Sequence, residues 1–246
     1  MVTGTRKPLQ CVRIKKVWLS VPKQVDHEER RRHIAEALWR IVAKHGMEAV
    51  SLRDVAAEAG VSMGSVQHYF KTKDHMLEFA LEFSSVQTGD RVRARLAREL
   101  AGDPPPWAVL RACIVETLPI DEHTRTGRLV GIAYFIRALN EPSLRRIYLQ
   151  GQPKLFNFFA DMIRAAQEQG VTAPGIDPDK ESMLLWCVAD SLGSDILLDN
   201  STPAEAMATA DYYLRRLFPG VPEQEWPPPG SISTPESTPE PTNSTP

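Results

Sequence analysis

Cysteine is scarce in this chain: Cys11, Cys113 and Cys187 are the three among 246 residues. They are too few and too scattered for a disulfide framework or a zinc module. Long apolar runs are missing as well. The longest stretches from Leu129 to Ile136, far short of the about 20 residues a membrane helix needs. The first residues are polar and basic, so no secretory signal is expected. Together these absences predict a reducing, cytoplasmic setting with no membrane partner. No charge of one sign dominates, with 29 Lys and Arg against 31 Asp and Glu. Apolar residues at 42% and charged residues at 24% match globular averages, which excludes wholesale disorder and a coiled-coil rod.

Catalytic signatures are absent too. There is no Gly-rich phosphate loop followed by Lys-Ser/Thr, no Gly-x-Ser-x-Gly and no His-Glu-x-x-His. The six histidines, at 27, 33, 45, 68, 75 and 123, are dispersed; His27 and His33 are six residues apart and share no helix face well. No metal, no cofactor and no enzymatic activity are expected.

What is present is an uneven distribution of charge. Residues 1–80 hold 14 Lys and Arg against 9 Asp and Glu, whereas residues 81–246 hold 15 against 22. A basic front and an acidic back suggest that one end meets a polyanion. Residues 1–25, with six basic and no acidic side chains, read as a flexible basic arm or as an extension without a task. Residues 220–246 are rich in Pro, Ser, Thr and Glu and read as a disordered tail, because so little apolar surface cannot offset the entropy of ordering.

Between these ends the periodicity is helical, without a convincing strand or internal repeat. Asp26 with Glu29 predicts the start of a first helix, and Ile34, Leu38, Ile41 and Val42 form its inner face. Arg30, Arg31, Arg32 and Arg40 fall largely elsewhere, as a solvated face. Gly46 is the expected stop. Ser51 opens a short second helix, Ser62 a third to about Tyr69, and Thr72 a fourth that continues to about Ala101. Further helices are expected at 106–118, 122–139, 142–169 with a bend near Pro153, 178–199 and 203–217.

The second and third helices, joined by Ala59-Gly60-Val61-Ser62, have the outline of a helix-turn-helix. Gly60 suits a positive φ at the turn, Val61 plugs between the helices, and Ser62 caps the second of them. Ala56 is small enough for close approach. Val55, Val61, Val66 and Phe70 are the expected core of this unit.

Residues 51–77 resemble the DNA-binding region of TetR-family transcriptional regulators, with Val61, Ser62, Gly64, Val66, Tyr69, Phe70, Lys73 and Asp74 matching the family pattern. Gln67 departs from it, standing where Tyr is usual. From there to about Pro219 the chain is similar, more loosely, to the BetI-like effector domain: Leu118 to Glu122, Arg137 to Leu144 and Asp190 to Leu198 carry the likeness. The resemblance implies an all-α fold. A three-helix helix-turn-helix DNA-binding domain (26–82) would precede a larger helical effector-binding and dimerisation domain (83–219). It also implies a homodimer on double-stranded operator DNA and a repressor released by a small-molecule effector. An activator or an effector-independent regulator is the alternative; a helical ligand-binding protein or enzyme without DNA binding is the alternative from another class.

Roles follow from chemistry and resemblance together. Met63, Ser65, Gln67 and His68 lie toward the exposed face of the recognition helix, with Gly64 among them. Gln67 can pair bidentately with adenine, and His68 can equally face solvent. Ser51, Arg53, Ser62, Tyr69, Lys71 and Lys73 suit phosphate; Arg53 could read guanine instead, and Tyr69 could pack with its hydroxyl in water. Trp107, Tyr134, Phe135, Phe159, Met162 and Trp186 are candidates for a ligand pocket. Asp190 is an anchor there or a dimer-face residue. Leu184, Leu185, Val188 and Leu192 are candidates for the dimer interface.

Overall fold

The computed structural model describes residues 25–46, 50–100 and 102–232. Among these residues there are nine α-helices and one short 3-10 turn, with no strand. The helices are α1 (Val25–His45), α2 (Leu52–Glu58), α3 (Met63–Tyr69), α4 (Lys73–Glu99), α5 (Pro106–Thr117), α6 (Glu122–Asn140), α7 (Pro142–Glu168), α8 (Pro178–Leu197) and α9 (Pro203–Leu217). Local signals explain most of these boundaries. Ser51, Ser62 and Thr72 each accept the backbone N–H three residues on, at 3.1 Å, and so cap α2, α3 and α4. Helix α1 starts at Val25, so that Asp26, its expected cap, lies in its first turn. Helix α7 runs through Pro153 without interruption.

Two hydrophobic cores organise the molecule. The first is built by α1–α3 and the start of α4, with Ile34, Leu38, Val55, Val66, Phe70, Met76 and Leu77 fully or almost fully enclosed. It does not stop there. Val130, Tyr134 and Ala138 of α6 and Leu144 of α7 belong to the same cluster. The second core joins the far half of α4 (Val92, Leu96) to α5, α7, α8 and α9. Helix α4 serves both, and the expected boundary between residues 82 and 83 falls inside it. The apolar period along α6 identifies an inward face but cannot say that this face turns toward the N-terminal unit.

The expectation of a disordered tail from residue 220 needs correction over its first part. Residues 220–232 cross α5 and α9 as a strap. Val221 and Trp226 are buried, and Trp226 packs against Trp107 at a tilt, with ring centroids 4.4 Å apart. Arg215 of α9 lies over the Trp226 ring, 5.1 Å from its centroid, and donates to the Pro227 carbonyl at 3.1 Å. Arg111 donates to both oxygens of Asp211 and to the Ser231 carbonyl, and the Gly230 N–H closes the cluster on Asp211 Oδ2 at 2.9 Å. Gly230 has φ +76°, and a Cβ there would sit 2.6 Å from the Ala204 carbonyl oxygen, so the strap requires glycine. One buried tryptophan and a set of backbone hydrogen bonds outweigh the polar composition. Residues 233–246 and the basic arm up to residue 24 lie outside the described residues.

Candidate nucleic-acid interface and sensor site

The turn between α2 and α3 has the geometry that its residues predict. Gly60 adopts φ +63°, and the Val61 N–H returns to the Ala56 carbonyl at 3.0 Å. Val55, Ala56, Val66 and Phe70 are buried, and Val61 is partly so. Helix α1 braces the turn from behind. His33 Nε2 donates to the Ala59 carbonyl at 2.8 Å, and Arg40 pairs with Glu58 at 2.6 Å. Arg31 is not simply solvated: its guanidinium sits 4.2 Å from the Phe79 ring centroid.

Held in this way, α3 offers a polar surface. Met63, Gly64, Gln67 and His68 are exposed, as are Ser51, Arg53, Ser62 and Lys71 in the flanking segments. Ser65, Tyr69 and Lys73 are half-buried at the edge of the same face. The Tyr69 hydroxyl lies 3.3 Å from His27 Nδ1, and the Tyr69 and His68 rings meet edge to face. His27 was not among the contact residues expected from sequence; the packing of α1 against α3 brings it there.

The candidate pocket residues are divided between the two cores. Trp107, Phe159 and Met162 are buried in the second, with Trp186 packed at its margin. Tyr134 belongs to the first, and Phe135 is exposed. Tyr134, Phe135 and Asp190 nevertheless gather around one residue that sequence reasoning missed, Tyr148 of α7. Its ring lies 6.1 Å from Tyr134 and 5.7 Å from Phe135. Burial, helped by the negative charge of Asp190, raises the Tyr148 hydroxyl above its usual range. Burial likewise pushes Tyr134 up to about 12. Asp190 accepts from Arg128 Nη1 at 2.5 Å, and Arg128 Nη2 reaches the Asp190 carbonyl and Ser194 Oγ. This aromatic and charged cluster spans α6, α7 and α8. Trp107, Phe159, Met162 and Trp186 are not part of it.

Of the candidate dimer residues, Leu185 and Leu192 are buried within the protomer, while Leu184 is half exposed and Val188 is intermediate. Met183, Leu198 and Tyr212 extend the exposed apolar surface of α8 and α9. Burial, and then the charge of Glu116, push the Cys113 thiol up to about 12. Among the described residues no group of His, Cys, Asp and Glu could hold a metal ion, and no helix is long and apolar enough to cross a membrane.

Comparison with known proteins agrees with this geometry over both units. Residues 34–80 match the model for bacterial regulatory proteins of the TetR family, and residues 106–219 match the C-terminal model of BetI-type transcriptional repressors. The HTH-type transcriptional regulator PksA of Bacillus subtilis is 33% identical over 179 residues, covering 73% of this chain and 84% of PksA. A transcriptional regulator from Rhodococcus sp. Rha1 superposes with a TM-score of 0.64 at 28% identity, covering 78% of this chain and 99% of that one. A protein of Saccharomonospora viridis solved in complex with choline gives 0.62 at 26% identity, covering 76% and 94%. The chain belongs to the TetR family of bacterial transcriptional regulators, with a helix-turn-helix reader and a BetI-type helical C-terminal domain.

Proposed function

We propose that this regulator acts in the cytoplasm as a homodimeric repressor that leaves its operator when a small organic effector binds. The observation that carries the reading is the α3 face, where Met63, Gln67 and His68 are exposed over a fully buried support of Val66 and Phe70. Gln67 reads adenine through its amide. Ser51, Arg53, Ser62, Tyr69, Lys71 and Lys73 position the duplex through phosphate, with Gly64 and Ser65 permitting close approach. The exposed apolar surface of Leu184, Met183, Leu198 and Tyr212 supports pairing of two copies through α8 and α9, with Val188 beside it. Two heads about 34–36 Å apart then fit successive major grooves of a pseudo-palindrome.

The Tyr148 cluster, with Tyr134, Phe135 and the Arg128–Asp190 pair, is the proposed effector site. Effector release needs a path to the heads, and α6 supplies one. It contributes Tyr134 to both the cluster and the first core, and Arg137 near its end pairs with Asp74 of α4 at 2.5 Å. An effector that prefers a different α6–α8 spacing shifts the heads; about 1–3 kcal/mol of coupling is typical. A mobility shift with DNA flanking the gene tests the reading. The expected outcome is a salt-sensitive, sequence-preferring complex of a dimer, and no shift at low salt would sink it.

A further inference from the structure

The chain enters its first helix at the face that α3 presents. Helix α1 begins at Val25, and His27 in its first turn is exposed. The His27 ring lies 5.8 Å from Tyr69 and 6.4 Å from His68, centroid to centroid, and its Nδ1 is 3.3 Å from the Tyr69 hydroxyl. His68 and Tyr69 close α3, the helix whose exposed Met63 and Gln67 face the bases in the reading above. The polypeptide before Val25 therefore joins the reader at its DNA-facing edge, not at the sensor.

What precedes that point is basic. Residues 1–24 carry Arg6, Lys7, Arg13, Lys15, Lys16 and Lys23 and no Asp or Glu, so none of these charges has a carboxylate within the segment. The start of α1 adds nothing to them, because Asp26, Glu28 and Glu29 balance Arg30, Arg31 and Arg32. Six positive side chains thus arrive at one edge of a locally neutral helix. Reach is ample: at about 3.3–3.6 Å per residue, a segment of this length can span up to about 80 Å, against roughly 34 Å for one duplex turn. A chain leaving the edge of a helix in the major groove crosses phosphates and meets the adjacent minor groove. That groove is narrow over A·T-rich sequence, and its negative potential attracts Arg and Lys.

We infer that residues 1–24 are a second DNA-binding element, which crosses the phosphates beside α3 and enters the adjacent minor groove, with a preference for A·T-rich sequence. This placement rests on the reading of α3 as the base reader. The arm adds affinity through charge and extends the operator beyond the bases that Gln67 contacts.

The test uses the full-length protein and two duplexes, read by fluorescence anisotropy. Both carry the DNA flanking the gene at their centre and differ only in their ends, A·T-rich in one and G·C-rich in the other. The parent should prefer the A·T-rich ends by at least about threefold. In Arg6→Ser/Lys7→Ser/Arg13→Ser/Lys15→Ser/Lys16→Ser/Lys23→Ser that preference should vanish. Its slope of log affinity against log salt should fall by at least about two, with at least about a tenfold loss of affinity at physiological salt. Exchanging Arg for Lys and Lys for Arg at the same six positions keeps the charge and should restore the slope. A slope unchanged in the serine variant overturns the proposal, whether the six charges then prove to hold phosphatidylglycerol vesicles or the acidic sensor half. So does a loss that charge exchange does not restore, or a parent indifferent to the ends. Lys71→Ala separates this proposal from the regulator reading. If it weakens binding while the serine variant does not, only the arm fails; if the parent binds neither duplex at low salt, both fail.

Discussion

The two cores are filled with different kinds of residue. In the core around the helix-turn-helix no buried side chain among the described residues carries a charge; the buried charges all lie in the sensor half. There Arg95 donates to Glu116 at 2.8 Å and to Glu99 at 2.9 Å, and Arg91 reaches Glu116 and Asp121, each at 2.5 Å. Arg111 and Asp211 form a second buried pair under the strap. An apolar core accepts any filling of the right volume, whereas a buried ion pair requires its partner, because an unpaired charge cannot be solvated. The reader is thus held mainly by non-directional burial. The sensor is held in one register by directional contacts, which fix α4 against α5 and the strap against α9.

The sharpest way to break this comparison is to remove one partner of a buried pair. Asp211→Ala strands Arg111 and the Gly230 N–H, and should cost about 3–5 kcal/mol in urea denaturation. Replacing both members with apolar residues, Arg111→Met with Asp211→Leu, should recover much of that loss. In the reader, Leu38→Ala should cost about 2–5 kcal/mol, but the volume-conserving Leu38→Met less than about 1.5 kcal/mol. If Asp211→Ala were as mild as Leu38→Met, the distinction between the cores would fail.

A smaller effect is expected at the strap. Gly230→Ala meets both a positive φ and the Ala204 carbonyl, and should destabilise by about 1–3 kcal/mol. Limited proteolysis should then cut residues 223–232 faster while the head stays intact. On DNA the expected contrast is between kinds of contact rather than between cores. Gln67→Ala should lower discrimination between operator and random DNA by about 1–3 kcal/mol. Lys71→Ala should weaken both equally and reduce the salt slope by about one. Equal losses on both DNAs for Gln67→Ala would end its role as a base reader.

The smallest effect concerns pH at His123, in the first turn of α6. Burial first, and then Arg91, hold His123 below its ordinary value of 6.5 in the folded protein. The unfolded chain therefore binds the proton more readily, and stability present above that ordinary value is lost as pH falls through the folded one. The fall in urea midpoint between about pH 7.5 and 5.5 should be smaller in His123→Gln than in the parent. An identical fall in both would show that His123 does not sense the proton.

Much of the reader was legible because its signals are local. Ser51, Ser62 and Thr72 act on amides three residues away, and Gly60 acts on its own φ. Helix limits in the sensor were readable for a similar reason, with prolines at 106, 142, 178 and 203 starting helices within a residue or two of expectation. The sensor site was harder to read. Trp107, Phe159 and Met162 have the same period and composition as Tyr134, yet they fill another core. Tyr148, Arg128 and His27 gained their positions from helices that approach across long stretches of chain. The strap had one visible signal, the isolated Trp226 and Ile232 in a Pro-rich stretch, which composition averaged away.

By itself, the sequence determined an all-helical chain with a capped helix-turn-helix near its basic end, since periodicity, caps and turn residues act over a few positions. Only the tertiary structure decided that α6 belongs with the reader's core and that residues 220–232 are bound down. Amphipathic helices specify which face turns inward. Which neighbour receives that face depends on packing and on buried charges meeting their partners, and those contacts join residues too far apart in sequence for any local pattern to record.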